Sequence, residues 1–142
     1  MNFLLDTNVI SEWVKPQPHP GVIRWLAEAD EDRVFISVIS IAEVSRGLER
    51  MLKGQRRERI AVWLKEDLPA RFAGRIIPVD LPVAQQWGIT VETAKRQGVT
   101  PGIMDAFLAA TAHTRDLTLV TRNVKDFEHL DIPIFDPWRE TP

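Results

Sequence analysis

Cysteine is absent from this chain. Its absence excludes thiolate zinc sites and thiol nucleophiles, removes disulfides as a source of stability, and fits a reducing compartment. Nothing in the sequence is apolar for long enough to span a bilayer. The opening stretch MNFLLDTNV has no basic leading segment and soon turns polar, so no signal peptide is expected. A soluble cytoplasmic protein without a membrane partner is the expectation. Internal repeats, low-complexity tracts and a convincing linker are missing too. Neither sign of charge dominates, since 18 Lys and Arg stand against 20 Asp and Glu for a net charge of −2. Such a balance does not bind nucleic acid through overall charge, and any contact of that kind has to be local.

What is present is enough for one compact α/β domain over residues 1–142, with a 44% hydrophobic content that builds a core without staples. Residues 3–5 (FLL), 33–37 (RVFIS), 75–80 (RIIPVD) and 117–121 (LTLVT) read as strands, and 132–135 (IPIF) as a short fifth. Helices are expected over 8–14, 21–29, from about Ser37 until Gly54 ends it, over 55–72, and over 82–97 until Gly98. A last helix over 102–116 would take Thr100 and Pro101 as its cap and first residue. Alternation of strands and helices predicts a central, mostly parallel sheet of four to five strands covered on both faces. The run RGLERMLKGQRRER at 46–59 is strongly basic and reads first as a solvated helix face. Its alternative, a basic rim for phosphates, needs an acidic metal site to serve.

Acids recur at one kind of place. Asp6 ends the first strand, Glu43 lies about two turns into the helix after the second, Asp105 opens the helix after Thr100, and Asn123 and Asp126 follow the fourth strand. The carboxyl ends of the strands are where open α/β sheets build their sites. Each residue also has a purely structural explanation. Asp6, in LLDTNVIS, has the chemistry of a helix N-cap. Ser40 and Glu43 match the Ser-x-x-Glu capping box, although the apolar period of SVISIAEV starts that helix near Ser37 and carries Glu43 past a capping position. Asn123 suits a turn cap, and Asp126 suits a first-turn acid facing the helix dipole. Asp105 fits such roles least, because Ala109 and Ala112 at i+4 and i+7 leave a small-residue face and room beside its carboxylate.

Carboxylates crowded into one cleft repel each other unless a divalent cation neutralises them. The candidate donors are all oxygen, with no spaced histidine pair, which selects Mg²⁺ or Mn²⁺ over Zn²⁺. Such a cation activates water and stabilises charge on phosphate oxygens, so phosphoester hydrolysis is the expected chemistry. His19, His113 and His129 pair with nothing in the sequence and read as surface residues.

Four stretches, LLDTNVISE at 4–12, SVISIAEVSRG at 37–47, GIMDAFLAATA at 102–112 and LVTRNVKDF at 119–127, resemble in order and spacing the motifs of PIN-domain proteins. The likeness extends from Met1 to FDPW at 135–138 and is strongest to the VapC toxins of bacterial toxin–antitoxin pairs, including the FitB-like branch. It implies a PIN-like parallel-sheet fold and a Mg²⁺- or Mn²⁺-dependent endoribonuclease acting on tRNA or rRNA. It also implies a homodimer that pairs with a small DNA-binding antitoxin, as a hetero-oligomer on operator DNA. By the same likeness Asp6, Glu43 and Asp105 take the catalytic and metal-binding acids, with Asp6 and Asp105 the direct ligands. Thr7, Asn8 and Thr121 take the supporting polar positions. Where many relatives carry a fourth acid, this chain has Asn123, which keeps an oxygen acceptor, loses the charge, and puts a second metal in question. Asn123 is expected to position a water, with Asp126 in reserve.

Two other functions are weighed against this one. A haloacid-dehalogenase-type phosphatase also opens on a strand followed by Asp, but its chemistry wants an acid where Asn8 stands. A non-catalytic module that only binds an antitoxin and operator DNA is kept open by Asn123 and opposed by the three retained acids. Trp25, Trp63 and Trp87 fall in helical patterns and are expected in the core or at a dimer interface.

Overall fold

Strand β1, Phe3–Leu5, carries Leu4 and Leu5, both fully buried although consecutive side chains of a strand point to opposite faces. The sheet is therefore covered on both sides. Strands β2 (Val34–Ser37), β3 (Ile76–Ile77), β4 (Thr118–Val120) and β5 (Ile134–Phe135) complete it in the order β3-β2-β1-β4-β5, every pairing parallel. This is the computed structural model, which describes residues 1–139. The expected α/β class holds, and the expected fifth strand is present.

Leu4 and Leu119 face one core, which Ile39, Leu108, Ala109, Ala112, Phe127 and Leu130 close. Leu5, Ile36 and Val120 face the other, filled by Val9, Ile10, Val22, Leu26, Leu68 and Phe72. Helices α1 (Thr7–Ile10) and α2 (Pro20–Glu28) cover this second face. Next in the chain come α3 (Val38–Arg50), α4 (Gln55–Val62) and α5 (Leu68–Arg71). Helices α6 (Leu81–Arg96), α7 (Ile103–Arg115) and α8 (Val124–Phe127) close the first face. Between α4 and α5 the residues Trp63–Asp67 form a wider π-type turn. Pro69 explains it, because its ring has no N–H and would crowd the carbonyl of Lys65 in a regular α-helix.

Local capping fixes several boundaries. Ser37 Oγ accepts from the Ile39 amide at 3.0 Å and starts α3, so the capping-box reading of Ser40 and Glu43 is not the one realised. Asp80 Oδ1 accepts from the Val83 amide at 3.1 Å and starts α6. Gly98 closes α6 with φ of 79°, and the next amide, Val99, donates to Ala94 O at 2.9 Å. Gly54 behaves differently from expectation: α3 stops at Arg50, and Gly54 begins α4 by accepting from the Glu58 amide at 3.1 Å. Likewise α7 starts at Ile103 with Gly102 at its cap, two residues past the expected Thr100.

His19 is more than a surface residue. Its Nδ1 accepts from the amides of Gly21 and Val22, at 3.1 and 3.4 Å, and so caps α2. Buried Glu12 holds it there by accepting from the His19 backbone amide at 2.8 Å. Burial works against the charge of Glu12, but Lys15 and this amide outweigh it and keep the carboxyl below its ordinary range. Among the described residues no helix is long and apolar enough to cross a membrane.

Candidate active site

In the order β3-β2-β1-β4-β5 the direction of assembly reverses between β1 and β4, and a switch point of this kind is where open α/β sheets leave a crevice at the carboxyl ends of their strands. Asp6 and Thr121 are the first residues past them. The two strand ends are level, since the Asp6 amide donates to Val120 O at 2.9 Å. Across the switch point Thr121 Oγ1 donates to Asp6 Oδ2 at 2.8 Å, joining residues far apart in sequence.

Asp6 is 5% exposed and serves two functions with its two oxygens. Oδ1 accepts from the Thr7 amide at 2.7 Å as the cap of α1, while Oδ2 takes the Thr121 hydroxyl. The cap and the site are thus one residue, because each carboxylate oxygen accepts in more than one direction. Asn8 braces the pair: its Nδ2 lies 3.4 Å from both Asp6 Oδ2 and Thr121 Oγ1, and its Oδ1 accepts from the Arg122 amide at 3.3 Å. Thr121 Oγ1 also accepts from the Asn123 amide at 3.0 Å.

Glu43, half-buried in α3, accepts the Thr7 hydroxyl on Oε1 at 2.8 Å. Asp105, half-buried in the first turn of α7, completes the cluster. Ala106, Ala109 and Ala112 behind it are buried, so the helix lies close on the sheet and carries Asp105 over the ends of the strands. Burial, reinforced by the charges of Asp6, Asp126 and Glu43, pushes the Asp105 carboxyl up to about 6. Burial also raises Asp6, with Glu43 and Asp126 adding to it, while the Thr121 and Thr7 hydrogen bonds pull the other way.

The charge of Asp126, in the first turn of α8, therefore reaches Asp6 and Asp105. Asn123 sits at the cap position of α8, but its side chain makes no cap hydrogen bond and is exposed. Among the described residues no Lys or Arg forms an ion pair with Asp6, Glu43, Asp105 or Asp126. Uncompensated acids sharing one crevice fit a cation. No three His, Asp or Glu side chains among the described residues are arranged to enclose an ion. A hard cation such as Mg²⁺ asks for no closed cage, since one or two carboxylates and several waters complete its shell.

The histidines lie elsewhere. His113 and His129 line a cavity of about 350 Å³ with Gln86, Thr90 and Glu128, which contains none of the four acids. Trp25 packs edge-on to Phe3 at 5.2 Å, Trp63 joins the second core, and Trp87 stacks on Phe107 at 5.3 Å. Arg122, next to Thr121 in sequence, carried no role in the sequence reading. Its guanidinium lies 5.6 Å from the centre of the Trp138 ring, and the Trp138 ring meets His19 at 6.3 Å. Trp138, a residue the sequence offers as an anchor of the tail, packs against the second core.

Comparison with known proteins places this geometry. Residues 3–133 match the family model of the PIN domain. The chain is 37% identical over 137 residues to Toxin FitB of Neisseria gonorrhoeae, covering 96% of this chain and 99% of that protein. To VapC ribonuclease Y4jK of Sinorhizobium fredii it is 33% identical, over 95% of this chain and 96% of the relative. A structure of FitAB bound to an IR36 DNA fragment superposes with a TM-score of 0.91 at 35% identity, over 99% of this chain and 98% of the other.

Proposed function

The chain belongs to the PIN-domain family, and on that premise we propose that it is a Mg²⁺- or Mn²⁺-dependent endoribonuclease, the toxin of a toxin–antitoxin pair. The observation that carries this reading is the pair of contacts Thr121–Asp6 and Thr7–Glu43 at the β1/β4 switch point, with the charges of Glu43 and Asp126 acting on Asp6 and Asp105 and, among the described residues, no Lys or Arg paired with any of the four acids. The ribonuclease name of one relative and the toxin name of another support the substrate and the biological class.

Asp6 and Asp105 are the residues to hold the cation, with Glu43 beside them. When bound, the cation supplies a polarised water and neutralises charge on the phosphate under attack. Asp6 is held still for this by the Thr121 hydroxyl and the Thr7 amide, and Asn8 ties both strand ends together. Glu43, oriented by the Thr7 hydroxyl, or another acid of the cluster accepts the proton of the attacking water. Attack by water needs no 2′-hydroxyl nucleophile and leaves a 5′-phosphate and a 3′-hydroxyl. Asn123 is exposed at the cap position of α8 and its side chain makes no cap hydrogen bond, which suits it to orient a water.

For partners, the FitAB complex bound to a DNA fragment supports an antitoxin and assembly on DNA, and a homodimer of this chain is part of the same proposal. The reading is tested by incubating purified protein with tRNA and structured RNA in Mg²⁺, Mn²⁺ or chelator, beside Asp6→Asn. Discrete products that require both metal and Asp6 support it. No cleavage by folded protein in any metal would favour a module that acts by binding alone.

A further inference from the structure

Arg122 is exposed and, among the described residues, has no carboxylate within ion-pair distance, although four acids lie in the crevice beside it. Its backbone is fixed by donation to Asn8 Oδ1, the residue that braces Asp6 and Thr121. Its guanidinium carbon lies 5.6 Å from the centre of the Trp138 ring. Trp138 is an anchored surface: its amide donates to Asp136 Oδ1 at 2.9 Å, its neighbour Pro137 is buried, and its ring packs on the second core. Asp136 in turn pairs with Arg139, which leaves Arg122 uncommitted. A guanidinium that already rests near an aromatic ring has less freedom left to lose on binding.

An RNA strand entering an acidic crevice brings several phosphates, and a cation in the crevice neutralises only the one under attack. The neighbouring phosphate needs a positive charge at the lip, on a side chain not already paired. We propose that Arg122, oriented by Trp138, contacts the phosphate of a nucleotide adjoining the scissile one, on the β4–β5 side of the crevice. The proposal rests on the nuclease reading and adds to it the direction in which the strand leaves the acids. Arg122 binds substrate in this scheme, and Trp138 is a positioning residue.

The test is steady-state cleavage of a fluorophore- and quencher-labelled single-stranded RNA of mixed sequence, with Mn²⁺, at several salt concentrations. Arg33→Ala is the control, since it removes the same charge just before β2, at the amino ends of the strands and so opposite the acids. Arg122→Ala is expected to raise KM about tenfold with kcat within about twofold, and to flatten the dependence of log KM on log salt by about 0.7, as loss of one single-strand phosphate contact does. Arg122→Lys should recover the salt dependence and only part of KM, because the charge returns without the planar group. Trp138→Ala should raise KM with the salt dependence kept. Equal behaviour of Arg122→Ala and Arg33→Ala, in a wild type that cleaves, overturns this proposal alone. A fall in kcat at unchanged KM also overturns it. Wild-type protein that neither cuts nor binds this RNA overturns it together with the nuclease reading.

Discussion

Thr7 Oγ1 donates to Glu43 Oε1 at 2.8 Å, tying the first turn after β1 to the second turn of α3. The contact spans the two elements that flank β1 and β2 at their carboxyl ends, and it sets the direction in which Glu43 presents its second oxygen. Hydrogen bonds to a charged acceptor are worth roughly 1.5–3 kcal/mol in stability, less where the group is partly solvated. Thr7→Val should therefore cost about 1 kcal/mol in denaturant unfolding and lower metal-dependent cleavage at least tenfold. Thr7→Ser should keep both. Full activity in Thr7→Val would show that Glu43 needs no orienting.

Asp105→Asn is expected to abolish cleavage and to stabilise the metal-free protein at neutral pH. The carboxyl pushed up to about 6 from 3.8 marks repulsion and desolvation that the amide relieves. The gain is on the order of 2 kcal/mol, read by urea unfolding in chelator at pH 7. A large loss of stability would instead assign Asp105 a structural role.

A pH series on the metal-free protein tests the same group in another way. The folded carboxyl binds its proton more tightly than the unfolded one, so between about pH 4 and pH 6 the native state holds more protons and stability falls as pH rises. Asp6, also raised, adds to this in the same direction. Glu12 and Asp80 are lowered and act oppositely, giving stability that is lost as pH falls. The difference between wild type and Asp105→Asn cancels those contributions and should narrow toward pH 4. A difference independent of pH would remove Asp105 as its source.

Asn123→Asp restores an acid at the lip of the crevice, where the side chain is free of any cap hydrogen bond. Mn²⁺ binding measured by calorimetry should tighten, and the metal-free protein should lose stability through added repulsion. An unchanged titration would put residue 123 beyond the reach of the ion.

Removal of the Thr121 hydroxyl in Thr121→Val leaves buried Asp6 Oδ2 and the Asn123 amide short of a partner. About 1–3 kcal/mol of stability should be lost, together with cleavage, while Thr121→Ser retains most of both. Thermal unfolding of the three proteins in chelator and in Mg²⁺ checks this.

Much of the fold was legible because strands buried on both faces leave short apolar runs, as FLL, VFIS and TLV do. The expected strand at 75–80 shrank to Ile76–Ile77, since Pro78 has no amide to give a neighbouring strand. Helix boundaries at Gly54 and Gly102 moved because a glycine permits an end or a beginning, and the flanking hydrogen bonds choose between them. His19 is exposed, as expected, but its capping of α2 was not legible for a related reason. A histidine nitrogen caps a helix only where the backbone brings two amides to it, and composition does not reveal that.

The sequence by itself determined the alternation of strands and helices, the acids placed after β1, after β2 and around β4, and the absence of thiol or paired-histidine chemistry. These follow from local periodicity and residue type. Only the tertiary structure decided that Asp6 both caps α1 and meets Thr121, that Glu43 answers to Thr7, and that Arg122 rests on Trp138. Those relations join residues distant along the chain, and they exist only once the parallel order of the strands brings their carboxyl ends to one edge.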